Sequence, residues 1–128
     1  MKKPEQKLWN LIKDHLPGVY DRIENIAESG MPDINACYEG NDYWIELKIC
    51  QKKLCNVKEL HEPSQLSWHT RRVNAGSLIF VIVKHKEEIK IYIVKFCKEL
   101  EYELIYTDPR NKNKYSWADF TTFLTTYL

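Results

Sequence analysis

The sequence predicts a mixed α/β fold, a β-sheet flanked by helices, and three observations lead there. Apolar residues recur at helical spacing near both ends of the chain. Between them lie short runs rich in β-branched and aromatic residues, of strand length. One further helical stretch interrupts those runs, giving the order helix, strands, helix, strands, helix. At 128 residues, the whole of 1–128 fits one domain with a sizeable core.

Leu8, Leu11, Ile12 and Leu16 share a stripe that Pro17-Gly18 stops, so a first helix is expected over 4–16. Residues 19–26 are a weaker strand candidate, with polar side chains on both faces. A turn at Ser29-Gly30-Met31-Pro32 leads into strand runs over 34–38 and 43–50. Glu39-Gly40-Asn41-Asp42 between them has hairpin chemistry. Pro63 suits the first position of a second helix, which should end before Gly76. Residues 77–84, SLIFVIVK, have the pattern of a strand buried on both faces, and 90–95, KIYIVK, should pair with it. Ser116-Trp117-Ala118-Asp119 resembles a capped start for a last helix over 117–127. There Phe120, Phe123, Leu124 and Tyr127 form one apolar stripe, suited to capping the core or to pairing with a second copy. The core is expected over about 5–95, with 96–128 an accessory helical segment.

Hydrophobic residues make up 44% of the chain and charged residues 29%, which argues against disorder. A net charge of +1 neither favours nor excludes a nucleic-acid partner, because acidic ligands offset basic contacts in the count. Cys37, Cys50, Cys55 and Cys97 form no Cys-x-x-Cys pair, and the four histidines complete no zinc-finger spacing. Free, mostly buried thiols in a reducing compartment are expected instead. The N-terminus lacks a signal-peptide apolar region and no run reaches membrane-spanning length. A soluble cytoplasmic protein with no membrane partner is the expectation.

The candidate chemistry sits on the 34–50 hairpin. Asp33 follows a Gly-x-Pro turn at the mouth of a strand, and Glu46-Leu47-Lys48 lies in the next one. Side chains alternate along a strand, so Glu46 and Lys48 share one face while Tyr43, Ile45, Leu47 and Ile49 take the other. An acid and a base on an otherwise apolar strand are costly to bury unless something joins them. Two carboxylates can hold Mg²⁺ through oxygen ligands, with the Leu47 backbone carbonyl as a further one. Such an ion suits phosphodiester hydrolysis, with Lys48 orienting water or stabilising charge. Alone, Glu46 and Lys48 read far more readily as a cross-strand salt bridge on a solvated face.

The combination is more specific. Gly30-Met31-Pro32-Asp33, then Trp44-Ile45-Glu46-Leu47-Lys48, then Pro63-Ser64-Gln65-Leu66-Ser67-Trp68 ahead of a helix and a strand, resembles the VRR-NUC branch of the PD-(D/E)xK nucleases. It is similar in particular to the small stand-alone members of phages and prophages, as is Arg22-Ile23-Glu24-Asn25. The resemblance spans about 5–84 and implies a restriction-endonuclease-like fold with an α-β-β-β-α-β core. It implies Asp33 and Glu46 as metal ligands, Lys48 as the catalytic lysine and Gln65 as an active-site residue. It also implies Mg²⁺ or Mn²⁺ as cofactor and DNA as substrate, structured or branched as in a Holliday junction, with a homodimer as a route to paired cuts. An acidic residue on the first helix often completes such sites, and Glu5 is the best match; Glu24 is the alternative. Glu62-Pro63 stands where the family has Ser-Pro, and the chain beyond Tyr92 matches no part of the pattern.

Other readings stay open beside this one. Glu5 is equally well a helix-dipole glutamate; Gln65 also reads as an ordinary exposed helical residue, and for Trp68 packing is favoured over nucleic-acid stacking. Lys52, Lys53, Lys58, Arg71 and Arg72 are either a phosphate-tracking rim or a solvated surface. Arg110, Lys112 and Lys114 pose the same choice. The functional rival is a non-catalytic nucleic-acid-binding or assembly module, against which the intact acid and lysine set argues.

Overall fold

The structure is a computed structural model, and it describes residues 2–23 and 30–128. Among these, the elements follow as α1 (Lys3–Ile12), β1 (Val19–Arg22), β2 (Ile34–Tyr38), β3 (Asn41–Cys50), α2 (Pro63–Asn74), β4 (Ile79–His85), β5 (Glu88–Phe96), β6 (Leu100–Asp108) and α3 (Trp117–Thr125). The strands form one sheet in the order β1 to β6. Only the β3–β4 pair is parallel, and the connections explain why. Helix α2 carries the chain back across one face between those strands, whereas two or three residues reverse it at β2–β3, β4–β5 and β5–β6. At the first of these reversals Glu39 and Gly40 both adopt positive φ (49° and 82°), the twist that a two-residue hairpin favours.

Alternation along the central strands builds two apolar layers. Tyr43, Ile45 and Leu47 of β3, with Phe80 and Ile82 of β4, pack under α1 and α3. Ile79, Val81 and Val83 face the other way, toward Trp68 of α2. Residues 79–83 are therefore buried throughout, as the apolar run predicts. Phe120 and Leu124 of α3 are fully buried in the first layer, and Thr121 Oγ1 donates to the His15 carbonyl at 2.6 Å. The last helix thus caps the core. No helix among the described residues is long and apolar enough to cross a membrane.

The structure differs from the expectations in three places. Strand β1 ends at Arg22; Ile23 follows outside the strand, its N–H donating to the Asp33 carbonyl at 2.8 Å, and residues 24–26 of the expected strand, with Glu24, fall outside the described residues. Residues 96–128, expected to be helical, contribute β6 as well as α3. Its pattern is hidden because a bulge opposite Ile91 and Tyr92 breaks the alternation at Ile105. Leu100 and Tyr102 join one apolar layer, and Ile105 and Tyr106 the other. Finally, Cys50 and Cys55 are joined as a disulfide, while Cys37 and Cys97 are free and neither is buried. The loop after β3 turns back over the strand's last residue, which no Cys-x-x-Cys spacing announces.

Candidate active site

The hairpin sets the geometry. Ile34 of β2 pairs with Ile45 of β3, so one further step of the same register brings Asp33 across from Glu46. Asp33 has no strand partner there; its Oδ2 accepts the Leu47 N–H at 2.9 Å, ending the ladder with a side chain. The N–H and C=O of one strand residue point to the same edge, so the Leu47 carbonyl faces the Asp33 side as well.

Helix α2 supplies the other wall. Gly30 (φ +86°) sits so close to its first turn that a Cβ there would lie 2.1 Å from the Ser64 carbonyl oxygen. Glycine is what lets the turn before Asp33 press against the helix that carries Gln65. Gln65 then bridges the strand pair: its Nε2 donates to Glu46 Oε1 at 3.0 Å, and its Oε1 accepts from Lys48 Nζ at 2.9 Å. The same Oε1 accepts the Glu62 N–H at 2.8 Å, so the residue that caps α2 also fixes the active-site amide. This overrides the reading of Gln65 as an exposed helical residue. Lys48 Nζ lies 3.8 Å from Glu46 Oε1.

Asp33, Glu46, Lys48, Gln65 and Glu5 all line one cavity of about 530 Å³. Glu5 therefore faces inward, although its Oε2 also accepts the Lys2 N–H at 3.4 Å at the start of α1. Leu60 and Glu62 line the cavity too; the sequence marked Glu62 only as a departure from the VRR-NUC pattern and gave no signal for Leu60.

Electrostatics decide what the cavity can hold. Glu46 is 2% exposed, and burial first, then the neighbouring Asp33 charge, push its carboxyl well above the usual value of 4.5. Glu5 adds to the rise, and Lys48 opposes it. Glu46 Oε2 is buried without a hydrogen-bond partner. A buried oxygen left this way costs about 1–3 kcal/mol. Asp33 and Glu46 carboxylates lining one cavity beside such an oxygen suit a hard divalent cation with oxygen ligands.

Beneath the cavity lies a polar layer that the sequence did not reveal. His69 Nδ1 is 2.7 Å from the Tyr102 hydroxyl, and the His61 ring stacks on Tyr102 at 4.9 Å. His61 Nδ1 donates to the Val57 carbonyl at 2.8 Å. Burial lowers His61 to about 4 and His69 to about 3, with Lys48 acting in the same direction. Both rings are thus neutral near pH 7. Tyr102 comes from β6, so the site rests on the strand whose pattern the bulge obscures.

The suggested basic rim is only partly free. Arg72 lies over the Trp68 and Trp44 rings at 4.6 and 5.3 Å, a cation–π sandwich, and Lys58 Nζ reaches the Leu100 carbonyl at 3.5 Å. Lys52 and Lys53 remain exposed on the loop after β3. Trp68 is a fully buried packing residue. Arg110 pairs with Glu87 and lies over Tyr115, which ties its loop to the β4–β5 turn.

No family model matches the chain, and no curated protein matches it by sequence. Solved structures do. The Holliday junction resolvase Hjc of the archaeal hyperthermophile Archaeoglobus fulgidus superposes with a TM-score of 0.52 at 15% identity, covering 99% of this chain and 100% of that one. The fold is restriction-endonuclease-like. Hjc belongs to the PD-(D/E)xK nuclease superfamily, in keeping with the sequence resemblance at that level.

Proposed function

We propose that the chain is a divalent-cation-dependent nuclease that hydrolyses phosphodiester bonds in branched DNA, with Asp33, Glu46, Lys48 and Gln65 as its working residues. One observation carries this: an acid pair, a lysine and a glutamine from three elements converge on one cavity, around a buried carboxylate oxygen with no partner. A salt bridge on a solvated face would not bury Glu46 beside a second carboxylate.

Asp33 and Glu46 hold Mg²⁺ or Mn²⁺, with the Leu47 carbonyl and Glu5 as further oxygen donors. The bound cation supplies Lewis-acid neutralisation of the scissile phosphate. Lys48 orients the attacking water and stabilises charge developing on the phosphate oxygens. Gln65 holds Lys48 and Glu46 in register by bonding both, so the ammonium stands at one point beside the acid pair. With Asp33 Oδ2 occupied by the Leu47 N–H, the other carboxylate oxygen is the one left to ligate the cation.

The substrate class rests on the full-length likeness to a Holliday junction resolvase and on the VRR-NUC-like motif order. A homodimer would place two such cavities on opposed strands of a junction. The test is cleavage of linear, nicked, flapped and four-way-junction DNA with Mg²⁺, Mn²⁺ or chelator, by the parent and by Asp33→Asn and Glu46→Gln. Metal-dependent cutting of branched substrates, lost in both variants, supports the reading. Undiminished turnover in either purified variant sinks it.

A further inference from the structure

A second donor cluster lies at the far end of β3. The parallel register pairs Cys50 with His85 of β4, and the loop after β3 brings Cys55 back beside them. Ligand atoms of Cys50, Cys55 and His85 lie within 4.8 Å of one another. The His85 ring is held on both sides: Nε2 donates to the Lys52 carbonyl at 2.6 Å, and Nδ1 accepts from Lys90 Nζ at 2.9 Å. That arrangement fixes the orientation of the ring and puts Nδ1 in the acceptor role that a metal ligand needs. The Lys52 carbonyl also lies 3.8 Å from Cys55 Sγ, and a cavity of about 290 Å³ opens beside both cysteines.

We propose that, when the Cys50–Cys55 disulfide is reduced, the two thiolates and His85 form a zinc site. Two sulfurs and one imidazole are a donor set that selects Zn²⁺ over Mg²⁺. The fourth position is open to water through the adjoining cavity. A cation at the ring replaces one of the two contacts of His85; Lys90 then turns to Glu88, whose carboxylate is 3.9 Å away. Opening the disulfide takes two electrons and two protons. An added phosphine supplies the electrons and becomes phosphine oxide with oxygen from water, and each thiol releases its proton on binding zinc. A disulfide accounts for the two sulfurs but not for a tautomer-fixed histidine in register with them.

The site is distinct from the acidic cavity but adjoins it. Leu60 lines both cavities, and the loop that a zinc ion would pin leads through Leu60 and Glu62 to Gln65. The Cys-x₄-Cys spacing falls within the range of zinc ligand pairs, while the third ligand comes from a strand thirty residues on and shows itself only through the sheet.

The experiment uses the full chain carrying Asp33→Asn and Glu46→Gln, so that the acidic cavity cannot account for binding. After anaerobic phosphine reduction, Zn²⁺ uptake is measured by elemental analysis and Co²⁺ uptake by thiolate-to-metal charge-transfer absorption. One equivalent per chain is expected, lost in Cys55→Ser and in His85→Ala. Cys55 is not part of the core, and circular dichroism of both variants checks that they fold. No charge-transfer band with Co²⁺ in the reduced protein, with the pair simply reoxidising, overturns the proposal in favour of a plain disulfide. Uptake that survives His85→Ala overturns it as well.

Discussion

Glu46→Gln should make the metal-free protein more stable while abolishing cleavage. Glu46 is 2% exposed, its Oε2 has no hydrogen-bond partner, and Asp33 and Glu5 add negative charge around it. A glutamine is nearly isosteric, carries no charge, and can present an amide N–H to Asp33 where the carboxylate repels it. Removing the unpartnered oxygen is worth about 1–3 kcal/mol. For a chain of this length that corresponds to a rise in melting temperature of roughly 3 °C or more. The pH dependence has a definite sign. Glu46 has a folded-state pKa above 4.5, so the native state binds more protons than the unfolded state between 4.5 and that raised value. Stability from this group therefore falls as pH rises through that window, and the penalty is complete above it. The gain of Glu46→Gln over the parent should be present at pH 7 and close below 4.5. Mg²⁺ should raise the melting temperature of the parent and not of the variant, because only the parent keeps the ligand charge. Thermal melts in chelator and in Mg²⁺ across pH, with a junction-cleavage assay, measure all of this. A variant that melts below the parent in chelator at pH 7 would refute the reasoning.

The other predictions follow from the same geometry. Lys48→Ala should lose on the order of 10²–10³-fold in rate, and Lys48→Arg most of it too, because the guanidinium fork cannot take the ammonium's place against Gln65 Oε1; near-normal cleavage by Lys48→Ala would remove the strongest residue from the site. Glu5→Gln should weaken Mg²⁺ affinity in a titration while Glu24→Gln does not, since Glu5 lines the cavity; the reverse outcome moves the ligand to Glu24. His61 and His69, held at about 4 and about 3, stay neutral in the native state while unfolded histidines charge below 6.5, so their contribution is full above 6.5 and is lost as pH falls toward those values. His69→Phe should flatten the acid side of the stability curve while breaking the Tyr102 contact. A chain ended near Tyr115 should fail to fold, because Phe120 and Leu124 are core residues; a stable, active truncated monomer in sedimentation would show that α3 is dispensable.

Much of the site was legible because its residues are local to one hairpin. Alternation alone assigns Glu46 and Lys48 to one face and Tyr43, Ile45, Leu47 and Ile49 to the other; Tyr43, Ile45 and Leu47 keep that division, while Ile49 packs against their layer and also lines the cavity with Glu46 and Lys48. Pro63 announces α2, and the apolar run over 79–83 announces a central strand. What was not legible depends on contacts between elements far apart in sequence. The bulge at Ile105 hid β6, and with it Tyr102 and the histidine layer under the site. The Cys50–His85 pairing exists only through the parallel register of β3 and β4. Motif order carried Gln65 into the site, but its double role came from geometry: one side chain serves both the start of α2 and the Glu46–Lys48 pair.

That double role also explains why this hairpin tolerates a charge where a core would reject one. Gly30 permits the close approach of the Asp33 turn to α2, and α2 delivers Gln65 to the one oxygen of Glu46 that is satisfied. Nothing among the described residues satisfies the other oxygen. The fold therefore holds Glu46 with one oxygen unsatisfied, an arrangement that the proposed cation would complete. The close contact of Gly30 with α2 and the bonds of Gln65 to Glu46 and Lys48 hold this wall of the cavity in place. The same rigidity makes the amide of Gln65 hard to replace: alanine there would free Lys48 and leave Glu46 with no partner on either oxygen but the lysine 3.8 Å away. On the proposed function, a pocket built this way would give up folding stability for a cation-binding geometry, which is how functional sites usually depart from the rules that govern a core.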